Sequence, residues 1–193
     1  TKKIKYGLKR TKALLKLCDS PEKKIFSVQL VGTNGKGSTS AMLANILQQS
    51  KYKTGLYTSP HLIDYKERIQ VNFNQISQKA INQFISKNKE GIEKIQPSFF
   101  EIMTVLAISY FHEQKVDIAI LETGLGARLD SVTACDINLI GFSNISLDHQ
   151  EILGSKIIQI AKEKAGAFQN SQQVAISSSQ NIAVANILTE LKL

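Results

Sequence analysis

The sequence predicts a three-layer α/β/α domain built on a mainly parallel sheet. Three observations support this fold class. Short apolar runs rich in β-branched residues alternate along the chain with longer segments of helical periodicity. One run, residues 116–121, is apolar at nearly every position, which is typical of a strand buried on both faces. The first predicted strand also leads through a glycine-rich turn, residues 32–39, into a helix, as in βαβ units.

The first third of the chain contains two predicted strands and two predicted helices. Residues 3–17 place leucines among basic residues, which predicts an amphipathic surface helix that ends before Pro21. The apolar run 25–31 predicts the first strand. Residues 40–49 carry their apolar side chains on one helical stripe, which indicates packing against a sheet. Residues 52–57 predict the second strand.

The middle of the chain is predicted to be mostly helical. Residues 67–72 form a short excursion, either a small β segment or a loop. The apolar spacing of residues 77–94 predicts one helix. Ser98 is followed three residues later by Glu101, the capping-box pattern that marks a helix start. The helix that follows, residues 99–111, is apolar nearly all round, so we expect it to be buried.

The last third of the chain continues the alternation. Residues 116–121 and 137–142 predict two further strands, and residues 157–165 predict a helix between the second of these and a strand at 173–176. Residues 182–191 predict a final helix. Helical spacers between strands favour parallel pairing, which is the basis of the fold-class prediction.

Composition excludes several classes of protein. The chain has 193 residues, of which 42% are hydrophobic and 21% charged, as in soluble globular domains. No apolar run approaches the roughly 20 residues of a membrane-spanning helix. The net charge of +8 comes mostly from lysine without interleaved aromatic residues, so a solvated face is favoured over a nucleic-acid surface. Cys18 and Cys135 lack metal-ligand spacing. We expect a reduced, cytoplasmic monomer that binds neither nucleic acid nor membrane.

The glycine-rich turn is the strongest functional signal. Glycines let the backbone approach an anion, the following helix begins with free N–H groups, and a lysine and hydroxyls stand where phosphate and Mg²⁺ need them. The match to the general phosphate-loop pattern is imperfect, because Leu30 replaces the first glycine and Gly37 separates Lys36 from Ser38. The alternative is a plain strand–helix turn. The predicted nucleotide-binding residues are Gly32, Thr33, Asn34, Gly35, Lys36, Gly37, Ser38 and Thr39.

Polar side chains also follow three other predicted strands. Ser59 and His61 come after residues 52–57, Glu122 directly follows residues 116–121, and His149 lies shortly after residues 137–142. Ligands of open α/β sheets bind beyond the carboxyl ends of the strands, so these residues are site candidates. The alternatives are an ordinary Ser-Pro turn, a Glu122–Arg128 ion pair and a solvated loop histidine.

Six strings occur in one order and together resemble folylpolyglutamate synthase/dihydrofolate synthase, a family of the Mur ligase superfamily. The resemblance covers the chain from about Gly7 to Gly166. The strings are Gly32-Thr-Asn-Gly-Lys-Gly-Ser38, Thr58-Ser-Pro-His-Leu62, Ser98-Phe-Phe-Glu101, Glu122-Thr-Gly-Leu-Gly126 with Arg128-Leu-Asp130, Leu147-Asp-His149 and Glu163-Lys-Ala-Gly166. The implied fold is the central domain of Mur ligases.

The resemblance implies an ATP-dependent amide ligase. A carboxylate on dihydropteroate, or the γ-carboxylate of a folate, attacks the γ-phosphate of ATP and forms an acyl phosphate. The amino group of L-glutamate then displaces phosphate and leaves an amide, ADP and Pi. Such phosphoryl transfer needs positioning and charge neutralisation more than a nucleophilic side chain. The implied cofactors are ATP and Mg²⁺, and the implied substrates are pteroate or folate and L-glutamate.

The resemblance also implies a role for individual residues. Lys36 contacts the β- and γ-phosphates, and the catalytic set is Lys36, Glu122, His149 and Lys164. Residues around Mg²⁺ are Ser38, Ser59, Glu122, His149 and Lys164, the last as a carbamylated lysine. Residues near the pterin are Ser98, Phe100, Arg128, Asp130 and Ser131, with Phe100 stacking and Asp130 accepting from ring N–H groups. The plain alternative for Lys164 is a helix-end lysine that complements the helix dipole.

The chain departs from the family pattern in ways that bear on these expectations. Ala127 replaces a usual glycine, and residues 131–135 replace the usual Ala-Thr-Asn sequence. Family members are longer, so residues 1–193 are expected to be an incomplete N-terminal ATP-binding domain without the C-terminal glutamate-binding domain, and inactive alone. Two alternatives stay open: another Mur-type ligase that acts on a peptide precursor, and an ATP-binding module without catalysis.

Overall fold

The fold is organised on a mainly parallel seven-stranded sheet. We describe residues 7–168 and 174–190 of a computed structural model. The strands are β1 (Phe26–Val31), β2 (Thr54–Tyr57), β3 (Ile69–Val71), β4 (Asn74–Gln75), β5 (Ile118–Glu122), β6 (Leu139–Phe142) and β7 (Val174–Ser177). Their order is β4-β3-β2-β5-β1-β6-β7. Five strands are parallel, and β3 and β4 extend one edge as an antiparallel hairpin. The predicted α/β class is confirmed.

Helices cover the sheet and connect its parallel strands. They are α1 (Lys9–Leu17), α2 (Lys36–Gln49), α3 (Gln78–Lys87), α4 (Lys89–Ile95), α5 (Phe99–Glu113), α6 (Gln150–Leu153), α7 (Ile157–Ala165) and α8 (Ile182–Glu190). Short 3-10 turns occupy Pro21–Lys24, Tyr65–Arg68 and Ser131–Ala134. None of the helices within these described ranges reaches the length and apolar character that crossing a membrane requires.

The core divides between the two faces of the sheet. On one face, α2 packs its buried Ala44 against β-strand side chains that include Leu30 and Ile120. The other face holds the larger cluster, in which α5 contributes Leu106, Ile108 and other residues with no more than a few per cent exposure. The nearly all-round apolar α5 is buried because helices and sheet contact it on several sides. Its prediction as a buried helix is confirmed.

Two elements differ from the sequence prediction, and for a third the structure decides between two alternatives. Helix α2 begins at Lys36 rather than at residue 40, because Gly35 adopts a left-handed conformation (φ +81°) and precedes the first turn. The 77–94 segment forms two helices separated at Asn88, whose side-chain amide donates to the Phe84 carbonyl oxygen at 2.9 Å. Of the two alternatives for residues 67–72, a β segment or a loop, the structure shows the β segment, β3.

The structure also contains a helix that the sequence did not predict. A short helix, α6, lies where no element was predicted, between β6 and α7. The predicted helix and strand positions 3–6, 173 and 191 lie outside the described residues.

Candidate functional site

The loop from Gly32 to Gly35 lies at the carboxyl end of β1, between the ends of β5 and β6. A Cβ at Gly32 would lie 1.9 Å from the Ser143 hydroxyl oxygen, so only glycine fits without movement of the β6 end. The Thr33 N–H donates to the Asn144 carbonyl oxygen at 2.8 Å. Its hydroxyl donates to the Ser146 carbonyl oxygen and accepts from the Ser146 N–H, both at 3.0 Å. Residues that follow β6 therefore fix the conformation of the loop.

The first turn of α2 continues this loop. Its leading N–H groups have no partner within the helix, and the helix dipole makes this end favourable for an anion. The Lys36 ammonium donates to the Gly32 and Thr33 carbonyl oxygens, both at 3.1 Å, so it lies over the loop. Ser38 is exposed and Thr39 is half-buried on the same turn. This geometry presents amides, an ammonium and hydroxyls to one side.

Glu122 is brought to the same turn by β5. Its side chain is buried, and its two carboxylate oxygens lie 3.4 and 3.5 Å from where a Cβ on Gly37 would stand. One oxygen accepts the Ser59 backbone N–H at 3.0 Å. Burial raises the pKa of Glu122, while the Ser59 N–H and the charges of Lys36 and Arg68 lower it. The extra glycine in the loop therefore lies directly beside the buried carboxylate, and an added methyl group there would be in ordinary contact with it.

Lys164 reaches the loop from α7. Its side chain is buried, with 4% exposure, and its ammonium donates to the Gly32 carbonyl oxygen at 2.6 Å. Burial, and then the nearby charge of Lys36, lower the pKa of Lys164 to about 8. A lysine with that pKa is neutral in roughly one molecule in ten at pH 7. The contact with Gly32 places the Lys164 ammonium on the glycine-rich loop rather than free at a helix end.

His149 lies at the start of α6 in a left-handed conformation (φ +47°). Its backbone N–H donates to one Asp148 carboxylate oxygen at 2.8 Å, and its Nε2 lies 3.6 Å from the other. The imidazole is half exposed. Asp148 therefore holds the histidine backbone by a hydrogen bond, and its carboxylate lies near the imidazole without hydrogen bonding to it. Within the described ranges, no hydrogen bond or ion pair joins His149 to Glu122 or Lys36.

The donor set fits a magnesium ion that is shared with phosphate. Among the residues described, no group of three or more His, Cys, Asp or Glu could hold a metal by itself. Magnesium is commonly held by one or two carboxylates together with substrate phosphates and water, so a dedicated protein cage is not required. The buried Glu122 carboxylate beside the first turn of α2, which carries Ser38, supplies that kind of donor.

Ser98 and Phe100 lie at the start of α5, near the same edge of the sheet. The Ser98 hydroxyl accepts the Glu101 N–H at 3.3 Å, and the Glu101 carboxylate accepts the Ser98 N–H at 2.6 Å. The capping box predicted from the sequence is confirmed. Phe100 lies against Gly124, where a Cβ would meet its ring at 2.7 Å, and its centroid is 6.0 Å from that of Tyr57. Phe100 thus packs on the end of β5.

Asp130 organises the loop after β5. Its buried carboxylate accepts the N–H groups of Gly124 and Leu125 at 3.0 Å and of Val132 at 2.9 Å. Burial raises the pKa of Asp130 to about 6, against these three donors, which lower it. The sequence interpretation assigns ring N–H groups of a substrate to this carboxylate. The structure gives it three partners from its own loop, a binding mode that no linear pattern indicates.

Arg128 and Ser131 also have partners within the protein. Arg128 forms an ion pair with Glu163 at 2.8 Å, which ties the loop to α7, so the alternative of a Glu122–Arg128 pair is wrong. The Ser131 hydroxyl is buried and accepts from the Thr11 hydroxyl at 3.2 Å. Substrate contacts for these two residues stay predictions.

Sequence reasoning missed Arg68 and Phe99 near this site. Arg68 donates through Nε to His61 Nδ1 at 2.8 Å, and its guanidinium carbon lies 5.6 Å from the Phe99 ring centroid. The sequence places Arg68 only in an unassigned excursion, and it places Phe99 in the exposed first turn of a buried helix without assigning it to the site; this side chain is 54% exposed. The sequence around Arg68 contains no motif from which its contact with Phe99 could have been predicted.

Comparisons with known proteins agree with the fold. Residues 30–192 match the Mur ligase middle domain. The chain is 41% identical over 184 residues to the dihydrofolate synthase/folylpolyglutamate synthase of Bacillus subtilis, covering 92% of this chain and 43% of that protein. It is 33% identical over 176 residues to the Escherichia coli protein of the same name, covering 91% of this chain and 42% of that one.

Solved structures of such proteins superpose closely. The E. coli FolC structure in complex with DHPP and ADP has a TM-score of 0.88 at 32% identity, over 98% of this chain and 46% of that one. Mycobacterium tuberculosis folylpolyglutamate synthase complexed with ADP and AMPPCP has a TM-score of 0.85 at 30% identity, over 96% and 44%. The chain thus spans less than half the length of these relatives. With this sheet, this loop and these matches, the chain belongs to the Mur ligase family and is homologous to the dihydrofolate synthase/folylpolyglutamate synthases.

Proposed function

We propose that this chain is the ATP-binding part of a ligase that joins L-glutamate to dihydropteroate or to the γ-carboxylate of a folate. The observation that carries the proposal is the convergence of Glu122 and Lys164 on the loop after β1. The buried carboxylate stands over Gly37, and the buried ammonium binds the Gly32 carbonyl oxygen at 2.6 Å. Two buried ionisable groups of opposite charge at one glycine-rich turn suit a phosphate and cation site better than a structural turn.

Nucleotide binding would be divided among the residues of the loop. The backbone N–H groups from Gly32 to Thr39 would hold the phosphates, and the Lys36 ammonium would leave its two carbonyl partners for the β- and γ-phosphate oxygens. The relatives crystallised with ADP or AMPPCP support a nucleotide as the ligand. The chemistry itself is an attack of the substrate carboxylate on the γ-phosphorus, with the bond to ADP breaking.

Magnesium would be held at the Glu122 side of the loop, by Ser38 and Glu122 together with phosphate oxygens. Bound there, the ion would neutralise charge that moves onto the β-phosphate as the γ-phosphorus transfers. Ser59, whose N–H donates to one Glu122 oxygen, and His149, whose backbone N–H donates to Asp148, complete the proposed set.

Lys164 would serve as a carbamylated ligand. Carbamylation requires a neutral amine, and burial lowers the pKa of Lys164 to about 8. The product carries a negative charge, which would reverse the interaction with Lys36 from repulsion to attraction. Ser98 and Phe100 would line the pterin side, and Arg128, Asp130 and Ser131 would shape the loop beside it. Residues 1–193 would form an N-terminal ATP-binding domain.

Pairing a nucleotide-binding measurement with a ligation assay tests this function. We expect isothermal titration of the 193-residue chain to show Mg²⁺–ATP binding, and the Lys36→Ala variant to lose roughly tenfold or more in affinity, as expected for loss of a charged phosphate contact. Because the relatives are about twice as long, we expect no glutamate ligation by the chain alone. Wild-type affinity in the Lys36→Ala variant would contradict the loop assignment, and glutamate ligation with a peptide precursor but not dihydropteroate would favour the other Mur-type activity.

A further inference from the structure

Arg68 is a cation at the carboxyl edge of the sheet, held in place by its neighbours. It has no role in the proposed nucleotide site. It ends the turn Tyr65–Arg68, and its carbonyl oxygen accepts the Thr58 N–H at 3.0 Å, so its backbone is tied to the residue before Ser59. Its Nε donates to His61 Nδ1 at 2.8 Å, and its guanidinium lies over the ring of Phe99. Two side chains therefore set the plane of this guanidinium.

The end of that guanidinium is open to a ligand. Its four terminal N–H groups form no hydrogen bond and no ion pair with any of the described residues. The adjacent Glu67 forms no ion pair with it, and its carboxylate instead accepts the N–H groups of Leu62, Ile63 and Asp64 at 2.8 to 3.0 Å. Glu122 also forms no ion pair with it; one of its oxygens accepts the Ser59 N–H, and the charge of Arg68 acts on it from a distance. A half-buried arginine without a carboxylate partner is suited to an anion from outside.

The position of this cation relates it to the reacting groups. The charge of Arg68 lowers the pKa of both Glu122 and Tyr57, which places it near the ends of β5 and β2. Phe99 and Phe100 begin α5 on one side, and Glu122 contacts the phosphate loop on the other. Arg68 thus lies between the proposed substrate side and the proposed phosphate side. The alternative is that Arg68 binds no ligand and only stabilises the Thr58–His61 turn through its contacts with His61 and Phe99.

We propose that Arg68 binds the acceptor carboxylate of the substrate, the group that ATP phosphorylates. This inference rests on the proposed function. The planar fork of donors takes the two carboxylate oxygens and reduces their repulsion from the triphosphate. One of those oxygens forms the new bond to the γ-phosphorus, the bond from that phosphorus to the bridging oxygen breaks, and its electron pair leaves with ADP. His61 acts as a positioning residue, because it holds the guanidinium and does not itself touch the substrate.

Two probes that differ only at the carboxyl group test the inference without any variant. We expect isothermal titration of the 193-residue chain, in the presence of Mg²⁺ and AMPPCP, to show pteroate binding roughly tenfold or more tighter than pteroate methyl ester, as a charge-assisted pair predicts. The Arg68→Gln variant should lose this preference and bind both probes with the affinity of the ester. Arg68→Lys keeps the charge without the fork and should fall between them, and His61→Leu should lose part of the preference.

Controls separate this inference from the proposed function. Lys66→Gln, which removes a cation on the same turn that pairs with Asp64 at 3.0 Å, should leave both probes unchanged. AMPPCP affinity should be the same within about twofold in all variants, because none of them touches the phosphate loop. Equal affinity of the wild-type chain for the two probes, or no pteroate binding beside normal AMPPCP binding, overturns the Arg68 inference alone. Loss of AMPPCP binding by the wild-type chain overturns the proposed function as well.

Discussion

Gly32 and Gly37 illustrate two different reasons for a glycine in one loop. At Gly32 a methyl group would overlap the Ser143 hydroxyl and approach the Asn144 carbonyl oxygen, and φ is +154°. At Gly37 the atoms nearest to an added methyl group would be the Glu122 carboxylate oxygens, at ordinary contact distance. The first glycine is needed for the loop to fold, and the second leaves space beside a carboxylate.

This difference gives opposite expectations for two alanine variants. Gly32→Ala should lower the free energy of unfolding by about 2 kcal/mol, the usual cost of overpacking. Gly37→Ala lies in the first turn of α2 and should stay within about 1 kcal/mol of wild type, because alanine favours a helix. Gly37→Ala should nevertheless weaken Mg²⁺–ATP binding. Urea unfolding and calorimetric titration measure the two effects. Equal destabilisation by both variants would contradict this account.

Lys164 carries a prediction about pH. A lysine is neutral above its pKa, and burial lowers the pKa of Lys164 to about 8. A neutral amine and CO₂ give a carbamate and a proton, so at constant dissolved ¹³CO₂ we expect a carbamate carbon signal in the NMR spectrum to grow clearly as pH rises from about 7 to about 9. An unperturbed lysine, with a pKa near 10.4, would still be mostly charged over this range.

The Lys164→Arg variant is the matched control, because arginine stays charged and forms no carbamate. Its spectrum should lack the signal at every pH in the series. A wild-type signal that only begins to rise above about pH 9 would show that Lys164 titrates as a surface lysine, and it would remove the support for carbamylation.

Helix α5 shows what a short pattern predicts at the scale of one element. The Ser98 hydroxyl and Glu101 carboxylate satisfy each other's backbone N–H groups, as their spacing indicated. Ser98→Ala should therefore cost about 1 kcal/mol in the free energy of unfolding. Ser86→Ala, an exposed serine inside α3, is the control and should change this quantity by less than half as much. Urea unfolding checks both variants, and equal effects would mean that the cap contributes nothing to stability.

Local patterns predicted the elements well where one interaction decides them. The apolar run before Glu122 formed a central strand, and the capping box formed a helix start. They failed where one hydrogen bond or one backbone conformation, which apolar spacing does not encode, decides the outcome. The 77–94 segment has one unbroken apolar period, but the buried Asn88 bonds to Phe84 and separates α3 from α4. The start of α2 depended on the conformation of Gly35, which composition alone does not specify.

The sheet order explains why candidates from distant parts of the chain meet. Because β1 lies between β5 and β6, the residues that follow those strands flank the loop that follows β1. Glu122 could therefore be placed at the site from the sequence. The burial of Lys164 against Gly32, the loop partners of Asp130 and the Arg68–Phe99 contact could not, because each depends on how α7, the 124–132 loop and α5 pack in three dimensions.

The most direct measurement of the central claim is the magnesium dependence of nucleotide binding. If Glu122 binds the magnesium ion at this site, removal of Mg²⁺ should weaken AMPPCP binding to the wild-type chain roughly tenfold or more. Binding to Glu122→Gln should be weak and nearly independent of Mg²⁺, while Glu93→Gln, at an exposed glutamate, should behave as wild type. If Glu122→Gln kept the full magnesium dependence of the wild type, the assignment of Glu122 and the phosphate loop to one site would be wrong.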